Sequence, residues 1–202
     1  MGFQPKGKVI FFATNNIHKF NEAREVLSPY KIAVGMLRVK TVEIQSESLE
    51  EIAKTSALYA FEKCGLPIIV EDAGLFVDAL NGFPGPYSSY VYKTIGNNGL
   101  LKLMDNVKNR KAKFQSVVAY FSEELKSPLC FKGEILGEIT KEVRQGRSGF
   151  GFDPIFKPAE SDKTFAEMGL IEKNKCSHRA RAFQKFAEWY KKREKFLANC
   201  LS

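Results

Sequence analysis

The chain has 202 residues, 44% of them hydrophobic, and carries 31 Lys and Arg against 23 Asp and Glu for a formal net charge of +8. That length supports one compact unit with a substantial core, and the positive balance suits an anionic ligand, whether nucleotide, nucleic acid or membrane surface. The cysteines, Cys64, Cys130, Cys176 and Cys200, show no CxxC spacing and only two histidines accompany them, which argues against structural zinc. Val9 to Ala13 is too short an apolar stretch for a secretion signal, and no run approaches the roughly 20 residues that span a bilayer. A cytoplasmic protein with reduced thiols is therefore expected.

Lys8 to Thr14 reads as a buried strand, and Asn15 and Asn16 then offer caps for a helix from His18 to Leu27, with Phe20, Ala23, Val26 and Leu27 at helical spacing. Ile32 to Met36 is a second strand, followed by a polar stretch containing Glu43. Ser48 and Glu51 form a capping box ahead of an apolar stripe of Leu49, Ile52, Ala53, Ala57, Ala60 and Phe61, which Gly65 ends. Leu66 to Val70 is a third strand that terminates in the acidic pair Glu71 and Asp72. Phe83-Pro84-Gly85-Pro86 marks a rigid turn before a helical region around Tyr90 to Met104. Ala112 to Phe121 and Leu129 to Ile139 form a long hairpin, and Gly146 to Pro154 is too rich in glycine for regular structure. Ser177 caps a last helix with Ala180, Phe183, Phe186, Ala187 and Tyr190 on one face, and its Lys191 to Lys195 run reads as a solvated face. Helices alternating with strands, then a hairpin, predict an α/β fold around a mixed sheet in a single domain, 1–202.

Gly2 to Lys8 spells the start of a phosphate-binding GxxxxGK loop but precedes the first strand and continues with Val9 instead of Ser or Thr, so it is rejected. Thr14-Asn15-Asn16-Ile17-His18-Lys19 is the better phosphate candidate, because a loop between strand and helix presents backbone N–H groups and Lys19 adds a cation. Glu71 and Asp72 need solvent, a partner or a metal at the end of a buried strand. With Glu43 they offer the oxygen ligands that Mg²⁺ takes, although acidic residues also simply end strands. Phe150 and Phe152 suit either a core plug or an aromatic wall for a planar base. Lys173 to Arg179 is, on its own, a common surface pattern.

FFATNNIHKFNEAREVL, VEIQSESLEEIA, VEDAGLFVDALNGFPGPYSSYV, SGFGFDPIF and TFAEMGLIEKNKCSHRARAF, in that order, resemble the inosine triphosphate pyrophosphatase family, from residue 11 to 183. The resemblance implies an elongated fold of two lobes around a deep substrate cleft, a long mixed twisted β-sheet flanked by helices, and a homodimer. It implies that Thr14, Asn15, Asn16, Ile17, His18 and Lys19 contact the triphosphate and that Glu43 and Asp72 hold Mg²⁺, Asp72 also matching the family's proton acceptor. Phe150, Gly151, Phe152, Asp153, Lys173, His178 and Arg179 match its substrate contacts, and Glu71 becomes an auxiliary carboxylate. The implied reaction converts non-standard purine triphosphates (ITP, dITP, XTP) to monophosphate and pyrophosphate, with no membrane or stable nucleic-acid partner. Two positions depart from the family pattern: Ala73 stands where Ser is common, leaving only a backbone N–H, and Phe152 where Tyr is frequent. The competing readings are a related pyrophosphatase for pyrimidine or modified nucleotides and a basic nucleic-acid-binding protein.

Overall fold

The computed structural model describes residues 9–39, 44–146 and 149–200, with side chains through 196. Glu43, the Gly2 to Lys8 segment and part of the glycine-rich stretch thus lie outside the described residues. In chain order the elements are β1 (Val9–Ala13), α1 (Ile17–Leu27), β2 (Ala33–Leu37), α2 (Leu49–Cys64), β3 (Ile68–Val77), β4 (Pro84–Gly85), α3 (Ser88–Thr94), α4 (Gly96–Leu103), β5 (Lys111–Phe121), β6 (Leu129–Ile139), β7 (Phe156–Pro158), α5 (Leu170–Cys176) and α6 (His178–Cys200).

Local chemistry sets the helix ends. Asn16 Oδ1 accepts from the backbone N–H groups of His18 and Lys19 at 2.9 and 3.2 Å and starts α1. Ser48 Oγ accepts from Glu51 N–H at 3.3 Å at the start of α2, and Gly65, at φ 62°, ends that helix in the left-handed region. Ser177 Oγ accepts from Ala180 N–H at 3.2 Å to open α6. The helical region expected over Tyr90 to Met104 is two helices, because Gly96 turns left-handed (φ 63°) between α3 and α4.

Seven strands form one mixed sheet in the order β2-β1-β3-β5-β6-β7, with β4 pairing β3 as well. β1 is parallel to β2 and β3, whereas β3-β5-β6-β7 is antiparallel throughout. One expectation is corrected here. Glu71 and Asp72 do not end a strand: β3 continues through Ala73 and Gly74 to Val77, held along its whole length by β5 from Ile68↔Phe121 to Val77↔Ala112. The apolar run stops at Val70, but the hydrogen-bond ladder does not depend on apolar side chains.

Side chains alternate across this sheet and divide the core. Ile69, Val118 and Tyr120 face α1 and α6, packing with Phe12, Val26, Phe183 and Phe186. Ile68, Val70, Val117 and Ala119 face the small residues of α2, Ala53, Ala57 and Ala60. Farther along the same strands Leu75, Val77, Phe114 and Ile135 build a second lobe with Val91, Leu100, Phe152, Phe156 and Phe165. Gly133 on β6 permits the close seating of α6, since a Cβ there would lie 2.1 Å from the His178 carbonyl oxygen.

Candidate active site

The site begins as a gap in the sheet. β1 covers the edge of β3 at Ile68 and Ile69, and β4 covers it at Leu75 and Phe76, leaving Val70 to Gly74 without a neighbouring strand on that side among the described residues. Leu75 N–H donates across this edge to Ser88 Oγ at 2.8 Å, and the Glu71 carbonyl accepts from Lys19 Nζ at 3.2 Å. Backbone groups alternate along a strand, so Ala73, midway between them, turns its N–H and C=O into the gap. A cleft of about 720 Å³ lies over it, within the range of small-ligand sites.

The alternation also separates the two acids. Asp72 shares its face with Ile68 and Val70, toward α2, and lines the cleft beside Ser56 and Ile52. Glu71 lies on the opposite face with Ile69 and is wholly consumed by partners. Its Oε1 accepts from Ser116 Oγ at 2.6 Å and Arg179 Nε at 3.0 Å, and its Oε2 pairs with Lys19 Nζ at 2.9 Å. Arg179 Nη1 continues to Glu22 Oε2 at 2.6 Å; Glu22 Oε1 meets Lys173 Nζ at 2.8 Å; Lys173 meets Asp153 Oδ2 at 2.6 Å. Three cations and three carboxylates thus alternate in one buried chain from Lys19 to Asp153, and their formal charges cancel.

This chain sets the protonation states. Burial opposes ionisation of Glu71, but Arg179, Lys19 and the Ser116 hydroxyl outweigh it and hold the carboxyl at about 2. Burial likewise opposes ionisation of Glu22, and Arg179 and Lys173 bring it below the usual carboxylate range. Arg179 is raised despite its burial, by Glu71 and Glu22. His178, also buried, is pushed well below its ordinary value by desolvation and then by Arg179, Lys173 and Lys19, so its imidazole is neutral.

One wall of the cleft is aromatic. The His18 ring stacks on Phe150 with centroids 5.3 Å apart, and Phe150 carries the Lys173 ammonium and Arg179 guanidinium on its ring at 4.9 and 5.3 Å. His178 stacks flat on Phe114 at 4.6 Å, and its Nδ1 has no hydrogen-bond partner among the described residues. The two readings of the phenylalanines separate: Phe152, 3% exposed, packs into the second lobe against Tyr92, whereas half-buried Phe150 stands on the wall.

Thr14 to Lys19, Glu71 to Ala73, Phe150 to Asp153, His178 and Arg179 all line the cleft. Lys173 does not; it lies behind the wall, 3% exposed. The segment from Lys173 to Arg179 is therefore no surface pattern, because Lys173, His178 and Arg179 are buried while Lys175 alone of its basic residues is exposed. Asp153 Oδ2 also accepts from Phe150 N–H at 2.8 Å and so fixes the aromatic loop. The Asn16 carbonyl oxygen is occupied as a helix cap, leaving the Asn15 and Asn16 amide NH₂ groups as side-chain donors. Glu22 and Ser116 went unnoticed in the sequence, though Glu22 stands on the same helical stripe as Ala23 and Val26, an unusual place for a carboxylate.

The Ham1 family model matches residues 10–189. The chain belongs to the Ham1 family. A dITP/XTP pyrophosphatase of Methanopyrus kandleri is 55% identical over 182 residues, 90% of this chain and 96% of that protein. A dITP/XTP pyrophosphatase of Thermococcus kodakarensis is 50% identical over 180 residues, covering 89% and 96%. Among solved structures the Ham1 protein of Staphylococcus aureus superposes with a TM-score of 0.80 at 30% identity, covering 92% of this chain and all of that one. The blocks that carried the resemblance, from Phe11 to Phe183, fall inside the matched Ham1 region.

Proposed function

We propose that this Ham1 protein hydrolyses non-standard purine nucleoside triphosphates, dITP, ITP and XTP, to the monophosphate and pyrophosphate, and so cleanses the nucleotide pool. The observation that carries the reading is one cleft that brings the Thr14–Lys19 loop and Asp72 together with Phe150, His178 and Arg179. The names of the Ham1 relatives support it. Thr14 to Lys19 take the triphosphate, with Ala73 N–H as a further donor where a Ser hydroxyl is absent. Water attacks the α-phosphorus, the bond from that phosphorus to the bridging oxygen breaks, and pyrophosphate leaves carrying the electron pair. Asp72 orients the water and draws off its proton. Glu71 acts through others: it positions Arg179 and Lys19.

Mg²⁺ suits this donor set. Glu71 is fully engaged elsewhere, and no three His, Cys, Asp or Glu side chains converge among the described residues. Mg²⁺ needs no such cluster, since one or two carboxylates and the substrate phosphates suffice with water. Asp72 would hold it, with Glu43 as second ligand by resemblance to the family. When bound, the ion neutralises charge on the phosphates.

Arg179 offers only N–H donors, of which two are engaged with carboxylates, and neutral His178 adds one donor. A purine with a 6-keto oxygen accepts from them, whereas the 6-amino group of adenine presents a donor. An unpaired buried polar group costs about 1 to 3 kcal/mol, enough to discriminate roughly tenfold or more. Both lobes share β3, β5 and β6, which supports one domain over 1–202. The exposed Tyr87, Tyr90, Tyr92, Ile95 and Leu103 of the α3–α4 region support a homodimer, checked by the solution mass. No helix among the described residues is long and apolar enough to cross a membrane, in keeping with a cytoplasmic setting. The function is tested by incubating the protein and Mg²⁺ with XTP, dITP, ATP or CTP in turn and following products by phosphorus NMR. Pyrophosphate with the monophosphate, formed faster from XTP and dITP, is expected; orthophosphate, or equal rates with ATP or a pyrimidine triphosphate, would overturn it.

A further inference from the structure

The buried chain uses its cations on its own carboxylates. Lys19 and Arg179 line the cleft, but each is bound to carboxylate, and with Glu71, Glu22, Lys173 and Asp153 they sum to zero. A polyanion entering the cleft therefore finds the cations of this chain already committed. Among the described residues Lys93 is the remaining lysine on the wall. It is exposed, near the end of α3, and forms no ion pair among the described residues.

Its place in the fold is specific. The Thr14–Lys19 loop rises where β1 leaves the edge of β3, at Ile69. α3 follows β4, which resumes that edge at Leu75, and Ser88 ties the start of α3 to the Leu75 N–H. Lys19 and Lys93 therefore stand on opposite rims of the same gap, with Asp72 and the Ala73 backbone on its floor. Lys93 also lines an adjoining basin of about 610 Å³, together with Asn97 and Gln145.

The geometry points to Lys93 as a substrate-binding residue, an uncommitted cation that meets the polyphosphate from the rim facing Lys19. This rests on the triphosphate reading of the cleft. An exposed ammonium on a flexible stem acts as a point charge, so it contributes to capture of the anion and is weakened by salt. It has no role in aiming the water, which falls to Asp72.

The test compares wild type, Lys93→Ala and Lys93→Arg with XTP and Mg²⁺, and measures Kd for inorganic tripolyphosphate by calorimetry. In Lys93→Ala, KM and the tripolyphosphate Kd rise about tenfold at low salt and less at high salt, the size of one charge-assisted contact. The change in kcat stays within about twofold, thermal unfolding is unchanged, and Lys93→Arg restores both constants. Unaltered KM and Kd in Lys93→Ala, or loss not restored by Arg, would overturn the assignment. If wild type turns over no triphosphate, the substrate reading fails separately, while the tripolyphosphate Kd still decides the role of Lys93.

Discussion

Replacing Glu22 by Gln probes the buried charge chain at its centre. Both Glu22 oxygens accept, one from Lys173 at 2.8 Å and one from Arg179 at 2.6 Å, and the side chain is buried. Gln keeps the shape but must turn its NH₂ toward one of these two donors, and it leaves three cations facing two carboxylates. Removing one partner of a buried ion pair costs about 3 to 5 kcal/mol. Each cation here retains a second carboxylate, Asp153 for Lys173 and Glu71 for Arg179, which places the loss near about 3 kcal/mol. For a chain of this size that lowers the melting temperature by roughly 6 to 12 °C, and it is a large share of a total stability on the order of 5 to 15 kcal/mol. Urea and thermal unfolding measure it directly. Activity adds a second readout: Arg179 loses one of two tethers, so kcat/KM for XTP falls at temperatures where the variant remains folded. Destabilisation below about 1 kcal/mol with unaltered kcat/KM would refute the view that this chain holds the recognition end together.

Two further outcomes follow from the same geometry. Asp72→Asn abolishes turnover while largely sparing nucleotide binding, read by rate and by calorimetry with XTP; retained turnover would remove Asp72 from the reaction. Stability falls with acid in a defined window. Glu71 is depressed from 4.5 to about 2 in the folded state, so the unfolded chain takes up its proton first. The contribution is complete above about 4.5 and is lost as pH falls toward about 2, on the order of 3 kcal/mol in all. His178, depressed from 6.5, works in the same direction, since below that pH the unfolded chain binds a proton that the folded one refuses. Unfolding free energy measured from pH 7 to pH 3 should therefore decline in two stages, the lower one reduced in Glu71→Gln and sustained there by Glu22.

Features fixed by neighbours in the chain were legible before any coordinates: the Asn16, Ser48 and Ser177 caps, the Gly65 stop and the β5–β6 hairpin each depend on residues within a few positions. The apolar pattern ends β3 early because Glu71-Asp72 breaks the run, and only its ladder with β5, some forty residues later, shows that the strand continues. α5 was missed because seven residues rich in Lys and Glu carry too little periodicity. Glu22 shows the same limit at the site. A carboxylate in a helix reads as solvent-facing until the fold supplies Lys173 and Arg179 from about 150 residues away. Lys173 fails in the converse way, since a lysine among charged residues gives no sign that it is sealed behind Phe150.

The unbroken course of β3 has a mechanical consequence. Ten consecutive residues pair with β5, and Asp72 lies in their middle, with both lobes built on the same two strands. A hinge between the lobes would have to break that ladder, so closure around a nucleotide cannot bend the floor that carries Asp72. Adjustment falls to what is laid over it, such as the exposed end of α3 with Lys93. The reacting end thus stays at a constant register while the walls adjust, and substrates of different shape meet the same carboxylate at the same height.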